Sequence, residues 1–376
     1  MQSNPYVYPY VPFADLSRKD FRPVIVGERR IDDEALRSLV RRLPAPQPAV
    51  IGTTPAERIL SIFSDESVRF GPREFIDDNR DAWLQKIDRF VATAEKIPFT
   101  ILGFPFKIAV SLKTNRTMPD LGEATALRRL ADIIDCVRRE YAPGAHITVF
   151  TEGAFGRFSG IPESVWMRYR EALKRLVAIL DYNDIEIRDL GDMENTVPDF
   201  AKRWEAKTAE LGRLYENGDH NIREKYEGTR ESLYRIIPTK ERNLEVLMDV
   251  YNEDLTDDAV SNEVRAIRKR LREEVHKAIF KYHAYLGVRD DLHYLETVAP
   301  DAIPLSVSPK PNRLGIIPLN LASVRLPYHG VPVYYPEKNL VDIEYLVDLL
   351  RSAATYTAVH WENDGDPKPF YYETYA

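Results

Sequence analysis

Charged side chains follow three predicted strands, and residues of these types could bind and convert a small substrate. Ligands of open α/β sheets lie beyond the carboxyl ends of the strands, so we expect these side chains to meet at one rim. Lysine and arginine hold phosphate or carboxylate, whereas glutamate and aspartate accept hydrogen bonds from hydroxyls or transfer protons. The pattern indicates a small anionic substrate with hydroxyl groups; loops that are charged only because they face water are an equally open alternative for any single residue. The charged side chains are Lys107, Lys113 and Arg116 after the strand predicted at 99–104, where the amide Asn115 also lies, Glu152 after 146–151, and Asp189 and Asp192 after 184–190.

Asp120 and Glu123 have the spacing of a helix cap. They precede an apolar helical repeat that reaches about residue 141. In such a capping box Asp120 accepts a hydrogen bond from a backbone N–H, and Glu123 reaches back to the cap. Structure alone explains both residues, but the cap lies at the predicted rim, so a catalytic role for either is also open.

Ser306, Lys310 and His329 lie on or beside successive predicted strands near the carboxyl end of the chain. His329 is a candidate acid or base because the unperturbed pKa of histidine is close to neutral. A purely structural histidine is the alternative.

Several motifs that define other classes of site fail on inspection. The glycines after the second predicted strand, Gly153, Gly156 and Gly160, do not have the dinucleotide-binding spacing, and neither a phosphate-binding loop with its lysine nor a Ser-hydrolase elbow occurs. His360 and Glu362 lack the second histidine of a non-haem iron site. We therefore predict no metal site.

The composition is that of a folded, soluble protein. The chain has 376 residues, 44% hydrophobic and 30% charged, with a formal net charge of −7, which disfavours nucleic-acid binding. The single cysteine, Cys136, cannot form an internal disulfide, so a cytoplasmic location is expected. We expect neither a signal peptide nor a membrane span, because the most apolar stretch is interrupted by Pro98, Pro105 and Lys107.

The elements that must position these residues alternate between strand and helix, which predicts an α/β fold: a Rossmann-like, mostly parallel sheet with a large helical insertion and a C-terminal mixed β segment. Residues 1–30 are expected to be an extended arm without an element of its own. A long helix is predicted at 261–286, ended by Gly287, and a last helix at 341–352. The predicted parts are an N-terminal arm and linker (1–48), an α/β core (49–196), a helical insertion (197–298) and a β/α part that completes the core (299–376).

Taken in order, several of these segments resemble the pyoverdine/dityrosine biosynthesis family, the isocyanide (isonitrile) synthases. The resemblance spans about residues 78–335, and no single motif in it is decisive. The chain departs from the family pattern at Thr151-Glu152-Gly153, where relatives carry His-Asp-Gly, at residues 304–309, which lack an arginine and a histidine, and at Tyr328, where relatives carry Trp. The matching segments are Phe104–Lys107, Lys113, Pro119–Glu123, Leu127–Leu130, Glu152-Gly153, Ser306, Pro309, Gly315-Ile316 and Pro327–His329.

The resemblance implies an enzyme of secondary-metabolite biosynthesis that turns the amino group of an amino acid into an isocyanide. Ribulose 5-phosphate would be the cosubstrate that donates the carbon, with no metal or redox cofactor. Aromatic amino acids are the familiar substrates of the family, and the altered late motif makes an aliphatic amino acid credible as well. The residues implied are Glu152, His329, Asp120 and Glu123 for proton transfer, and Lys107, Lys113, Ser306 and Lys310 for substrate binding.

Other functions and partners stay open at this point. Rivals are an enzyme that forms an N-formyl amino acid, an adenosylmethionine-dependent transferase, and a non-catalytic protein that kept the fold. The expected partners are the amino acid and the sugar phosphate, without nucleic acid or membrane. A homodimer is a further candidate, since the helical segment could carry a dimer face or a lid. A downstream tailoring enzyme is another candidate partner.

Overall fold

The computed structural model describes residues 23–107, 113–237, 239, 241, 243–252, 254–308, 310–320, 323 and 325–375. Over these residues the chain forms two five-stranded sheets surrounded by helices. The strands are β1 (Val24–Ile31), β2 (Ile97–Gly103), β3 (Ala145–Thr151), β4 (Ile185–Asp189), β5 (Ile303–Ser306), β6 (Leu314–Gly315), β7 (Val331–Tyr335), β8 (Leu340–Glu344), β9 (Thr355–Trp361) and β10 (Tyr371–Tyr375). The α-helices are α1 (Asp33–Arg42), α2 (Pro55–Ser64), α3 (Glu74–Asp77), α4 (Arg80–Thr93), α5 (Leu121–Glu140), α6 (Glu163–Ile179), α7 (Met193–Thr196), α8 (Phe200–Glu216), α9 (His220–Ile236), α10 (Leu244–Tyr251), α11 (Asn262–Asp291), α12 (Tyr294–Val298) and α13 (Leu346–Arg351).

The first sheet is entirely parallel and has the order β4-β3-β2-β5-β6. Its central strands are almost continuously apolar and buried, as is typical of a parallel sheet covered on both faces. The chain fills one side of β2 with β3 and β4 and then the other side with β5 and β6. The order therefore reverses between β2 and β5, which is where such sheets bind ligands. The predicted α/β, Rossmann-like fold is confirmed.

The second sheet is mixed and has the order β1-β9-β10-β7-β8. It joins the two ends of the described chain, since β1 pairs in parallel with β9. The expectation that residues 1–30 carry no element is wrong for Val24–Ile31. This strand is mostly exposed and shows no apolar alternation, so only its distant partner strand identifies it. The rest of the predicted arm, residues 1–22, lies outside the described residues.

Two predicted helix boundaries are also wrong. Residues 341–344 belong to β8, so the last helix is only the short α13. The long helix α11 does not end at Gly287 but continues to Asp291. A helical glycine costs only about 1 kcal/mol. Burial of Tyr285 and Val288 in an apolar cluster with Phe155 and Phe200 offsets that cost.

An aromatic cluster joins α11 to the chain that follows β3. The ring of Tyr285 lies 5.4 Å from that of Phe155 and 5.2 Å from that of Phe200, both edge-to-face. Such pairs stabilise by about 0.5–1.5 kcal/mol beyond the apolar area that they bury. The cluster therefore holds the end of α11 beside the carboxyl end of β3. Within the described ranges, none of the helices has the length and apolar character needed to cross a membrane.

Candidate active site

Lys107 forms the centre of a fully buried ion cluster just beyond β2. Its ammonium lies 2.5 Å from Oδ2 of Asp120 and 3.0 Å from Oε2 of Glu123, and none of the three side chains is exposed. A lone buried charge is strongly unfavourable, so each of these groups depends on the others. Two predicted catalytic residues and one predicted substrate-binding residue are thus brought together, but without a surface that opens to solvent.

The capping box of α5 is present as predicted. The Asp120 carboxylate accepts from the backbone N–H of Gly122, and the Glu123 carboxylate accepts from the backbone N–H of Asp120. The sequence prediction missed Tyr169, whose hydroxyl donates to Oε1 of Glu123 at 3.0 Å. Glu123 therefore accepts hydrogen bonds from an ammonium, an amide and a phenol.

The two carboxylates of the cap differ in acidity. Burial, reinforced by the neighbouring Glu123, raises the pKa of Asp120 well above its usual range. Burial alone would also raise the pKa of Glu123, but the Lys107 ammonium and the hydrogen bonds at Asp120 lower it below the usual range. Asp120 is therefore the carboxyl group of this pair that binds a proton more readily.

Arg116 ties the cluster to the end of the chain. Its guanidinium lies 2.8 Å from Oδ2 of Asp364 and also donates to the carbonyls of Lys368 and Pro369. Its Nε lies 4.0 Å from Oδ2 of Asp120. Sequence reasoning placed Arg116 at the rim, but its partner 248 positions away is visible only in the fold.

His329 lies within electrostatic range of both Lys107 and Lys113, and His329 and Lys113 are half-buried residues. Burial, together with the positive charges of Lys113 and Lys107, lowers the pKa of His329 to about 3. Burial and the charge of Arg235 lower the pKa of Lys113 to about 8. Lys113 lies over the ring of Tyr345 at 5.9 Å. The imidazole is therefore neutral at physiological pH and lies near a cation that is close to titrating.

Glu152 follows β3 at the same edge of the sheet and is half-buried. Burial raises its pKa, although the cations Arg289, Lys310 and Arg313 pull in the opposite direction. Its charge contributes to the raised pKa of Tyr282 on α11. Glu152 is thus a weakly acidic carboxyl group at the rim with cations around it.

The other predicted residues differ in accessibility. Ser306 is buried, and its hydroxyl accepts from the backbone N–H of Ser308 at 3.1 Å. Lys310 is exposed. The Asp189 carboxylate accepts a hydrogen bond from the backbone N–H of Gly191 through one oxygen and forms an ion pair with Arg170 through the other, so both oxygens already have partners.

Sequence reasoning did not select Arg289 and Arg313, two cations near Glu152, as candidate site residues. Arg289 lies beyond Gly287, where the helix was predicted to have ended. Arg313 lies in a short turn without a recognisable motif. The signal that could have found Arg289 is Val288, which continues the helical apolar spacing of Tyr285 past the predicted end of the helix.

A cavity of about 630 Å³ lies elsewhere, between α9, α10 and α11. Its cations Arg268 and Arg272 are paired with Asp257. We do not place the chemistry there, because its charges already have partners and it is lined entirely by the helical region. Across the described ranges, no three His, Cys, Asp or Glu side chains come together as metal ligands.

Comparison with known proteins gives a consistent family. The pyoverdine/dityrosine biosynthesis protein model matches residues 87–344. An L-tryptophan isonitrile synthase of Fischerella ambigua is 32% identical over 111 residues, which are 29% of this chain and 34% of that protein. An L-tyrosine isonitrile synthase of Pseudomonas aeruginosa is 25% identical over 257 residues, 66% of this chain and 73% of that protein.

The fold agrees with these matches. The crystal structure of PvcA from Pseudomonas aeruginosa has a TM-score of 0.61 and 20% identity, covering 85% of this chain and 99% of that one. This likeness concerns the fold alone. The chain spans about a third of the length of the Fischerella relative that it matches. Because the family model covers well over half of the 376 residues, the protein belongs to the pyoverdine/dityrosine biosynthesis family.

Proposed function

We propose that this protein is an isocyanide synthase that converts the amino group of an amino acid into an isonitrile, with ribulose 5-phosphate as the carbon donor. Relatives named as isonitrile synthases support the general activity. The observation that carries the proposal is the rim of the parallel sheet, where His329 and Glu152 retain accessible surface beside cations. Two titratable groups and two sets of positive charge match a substrate pair with two anionic ends.

The first chemical step needs a base and an acid. An amino acid carries an ammonium, which must lose a proton before its nitrogen can attack the ketone carbon of the sugar phosphate. The adduct then loses its hydroxyl group as water, which needs a proton to be delivered to that oxygen. Neutral His329 accepts the first proton once the carboxylate of the bound amino acid offsets the positive charges of Lys113 and Lys107 that lower its pKa. Glu152, whose pKa is raised by burial, delivers the second.

The buried cluster has a supporting role in this scheme. Lys107 is completely buried and bonded by two carboxylates, so we propose that it positions the cap and sets the electrostatic potential at His329 rather than binding substrate. Tyr169 links the cluster toward Tyr328, since these two phenols lie within electrostatic range of each other. The ring of Tyr328 in turn lies 4.7 Å from that of His329.

The experiment that tests the function is direct. Purified full-length protein is incubated with ribulose 5-phosphate and each amino acid in turn, and the products are analysed by mass spectrometry. We expect one amino acid to gain one carbon and lose two hydrogens at its nitrogen. A product that has also gained the elements of water would indicate a formamide, and no modified amino acid with any substrate would contradict the proposal.

The catalytic assignment is tested in the same assay. His329→Gln should lower the rate by about 10²–10⁴-fold, as expected for a lost acid–base group. His220→Gln, at an exposed histidine on α9, is the matched control and should leave the rate unchanged. Equal rates for the two variants would remove His329 from the mechanism.

A further inference from the structure

We infer that Arg289, Lys310 and Arg313 form the subsite that binds the phosphate group of the sugar phosphate. This inference rests on the proposed function, of which it assigns one binding element. It differs from the sequence-based expectation, in which Lys107, Lys113 and Lys310 share the anionic groups. Two of the three residues come from a turn after β5 and the third from the last turns of α11.

The fold holds these three residues at one place. Lys310 and Arg313 belong to the turn between β5 and β6, in which the backbone N–H of Arg313 donates to the carbonyl of Lys310 at 3.3 Å. The side chain of Asn79 donates to the carbonyl of Pro311 at 3.0 Å and so anchors this turn to the start of α4. Because β5 adjoins β2 and β2 adjoins β3, the turn lies at the same edge as Glu152.

Arg289 reaches this edge from the helical region. The aromatic cluster around Tyr285 fixes α11 against the chain after β3, one turn before Arg289. The Arg289 side chain is 6% exposed and pairs with the exposed Asp290 at 2.6 Å. Its guanidinium is therefore held in place, with Glu152 also within electrostatic range.

Of the three cations only Arg289 forms an ion pair in the described part of the chain, with Asp290. No hydrogen bond or ion pair to a side chain within the described residues holds Lys310 or Arg313. Partial desolvation lowers the pKa of both, although Lys310 still reaches solvent, and each is further lowered by the positive charge of Arg289. The carboxyl groups in range are Glu152, Asp290 and, for Arg313, Glu296. Cations that repel each other at a partly buried place are stabilised when an anion binds between them.

The number and type of cations favour phosphate over carboxylate. A phosphate monoester carries about −1.5 to −2 charge at pH 7 and three acceptor oxygens. The guanidinium of Arg313 can donate two parallel hydrogen bonds to it, Arg289 keeps its Nη1 group beside the ion pair with Asp290, and the lysine adds a point charge. Lys113, a single cation beside His329, matches the single negative charge of an amino-acid carboxylate. Lys107 is excluded because its ammonium is already bonded by Asp120 and Glu123.

This division orders the two substrates across the rim. The phosphate end of the sugar lies at the α11 side, where Glu152 can accept hydrogen bonds from the sugar hydroxyls. The amino acid lies at the Lys113 side, where its nitrogen faces His329. Residues 304–309 of this chain contain no arginine, and Arg313 lies on the turn directly after that segment.

The test is binding, measured by calorimetry on the full chain with ribulose 5-phosphate, with ribulose and with inorganic phosphate. We expect Lys310→Gln/Arg313→Gln to weaken ribulose 5-phosphate at least 30-fold and to abolish the advantage of ribulose 5-phosphate over ribulose. Lys113→Gln should leave ribulose 5-phosphate binding within about twofold. Arg168→Gln, an exposed arginine on α6, is the charge-matched control. Thermal melting of each variant confirms that it is folded.

The outcomes separate this inference from the function on which it rests. Unchanged affinity of the double variant for ribulose 5-phosphate, or no binding of ribulose 5-phosphate by the wild type, overturns the phosphate subsite. If the wild type forms an isocyanide while the double variant binds normally, the function stands and the subsite fails. If the double variant loses binding while the wild type forms no isocyanide, the subsite stands and the function fails.

Discussion

The ammonium nitrogen of Lys107 lies 2.5 Å from Oδ2 of Asp120, and both side chains are completely buried. Asp120 is the N-cap of α5, and Lys107 follows the central strand of the parallel sheet. This ion pair therefore joins a helix start to a strand end at the point where the strand order reverses. Its removal should affect stability and the site together.

Lys107→Met should be strongly destabilising, because it leaves two buried carboxylates without their cation. Loss of one partner of a buried ion pair costs about 3–5 kcal/mol. Lys96→Met is the control, since Lys96 pairs with Asp184 at the surface and such pairs contribute below about 1 kcal/mol. Chemical denaturation measures both. A loss at Lys107 no larger than that at Lys96 would contradict the buried cluster.

His329 should make the protein sensitive to acid. Its pKa is lowered to about 3 in the folded chain, whereas the unfolded chain binds a proton near pH 6.5. Below pH 6.5 only the unfolded state gains this proton, so the free energy of unfolding falls as the pH drops toward 3. His329→Asn should reduce the loss of stability between pH 7 and pH 5 by at most about 2 kcal/mol. The comparison is made by urea denaturation at the two pH values, and His220→Asn should keep the wild-type pH dependence.

Lys113 should make the stability rise with pH in the alkaline range, with the same sign as His329. Its pKa is about 8 in the folded chain and 10.5 in the unfolded one. Between these values the unfolded state holds more protons, so the free energy of unfolding rises as the pH increases from 8 to 10.5. Lys113→Met should be more stable than the wild type at pH 7, by about 1–2 kcal/mol after allowance for solvent screening, and this advantage should disappear by pH 10.5. A constant difference across this range would show that Lys113 is not held at a lowered pKa.

Gly330 should be essential for the position of His329. A Cβ at this position would clash with the backbone carbonyl of Glu344 and with the side chain of Ile343. Gly330→Ala must therefore displace the start of β7 or the edge of β8, and the neighbouring imidazole with it. We expect a loss of both stability and activity. Gly228→Ala on α9, where a Cβ meets open space, should instead stabilise by about 1 kcal/mol; similar behaviour of the two variants in thermal melting would refute the close approach.

Several elements were predictable because their signal is local. The apolar repeat of α5, its Asp120–Glu123 cap and the apolar strands of the parallel sheet depend on neighbours in sequence, so periodicity and capping chemistry were sufficient. The strands β1 and β9 were not, because each is stabilised by pairing with residues more than 300 positions away. The end of α11 was mispredicted at Gly287, since tertiary packing outweighs a propensity of about 1 kcal/mol.

The sequence by itself determined the residue types at the rim, the succession along the chain of the strands that carry them, and the resemblance to the family. The roles of two lysines show what only the tertiary structure decided. Lys107 and Lys113 are six positions apart in the same predicted loop, but Lys107 is enclosed by two carboxylates whereas Lys113 lies within electrostatic range of Arg235. A charge is neutralised or left available by the groups that folding brings around it, and those groups come from α5 in one case and from α9 in the other.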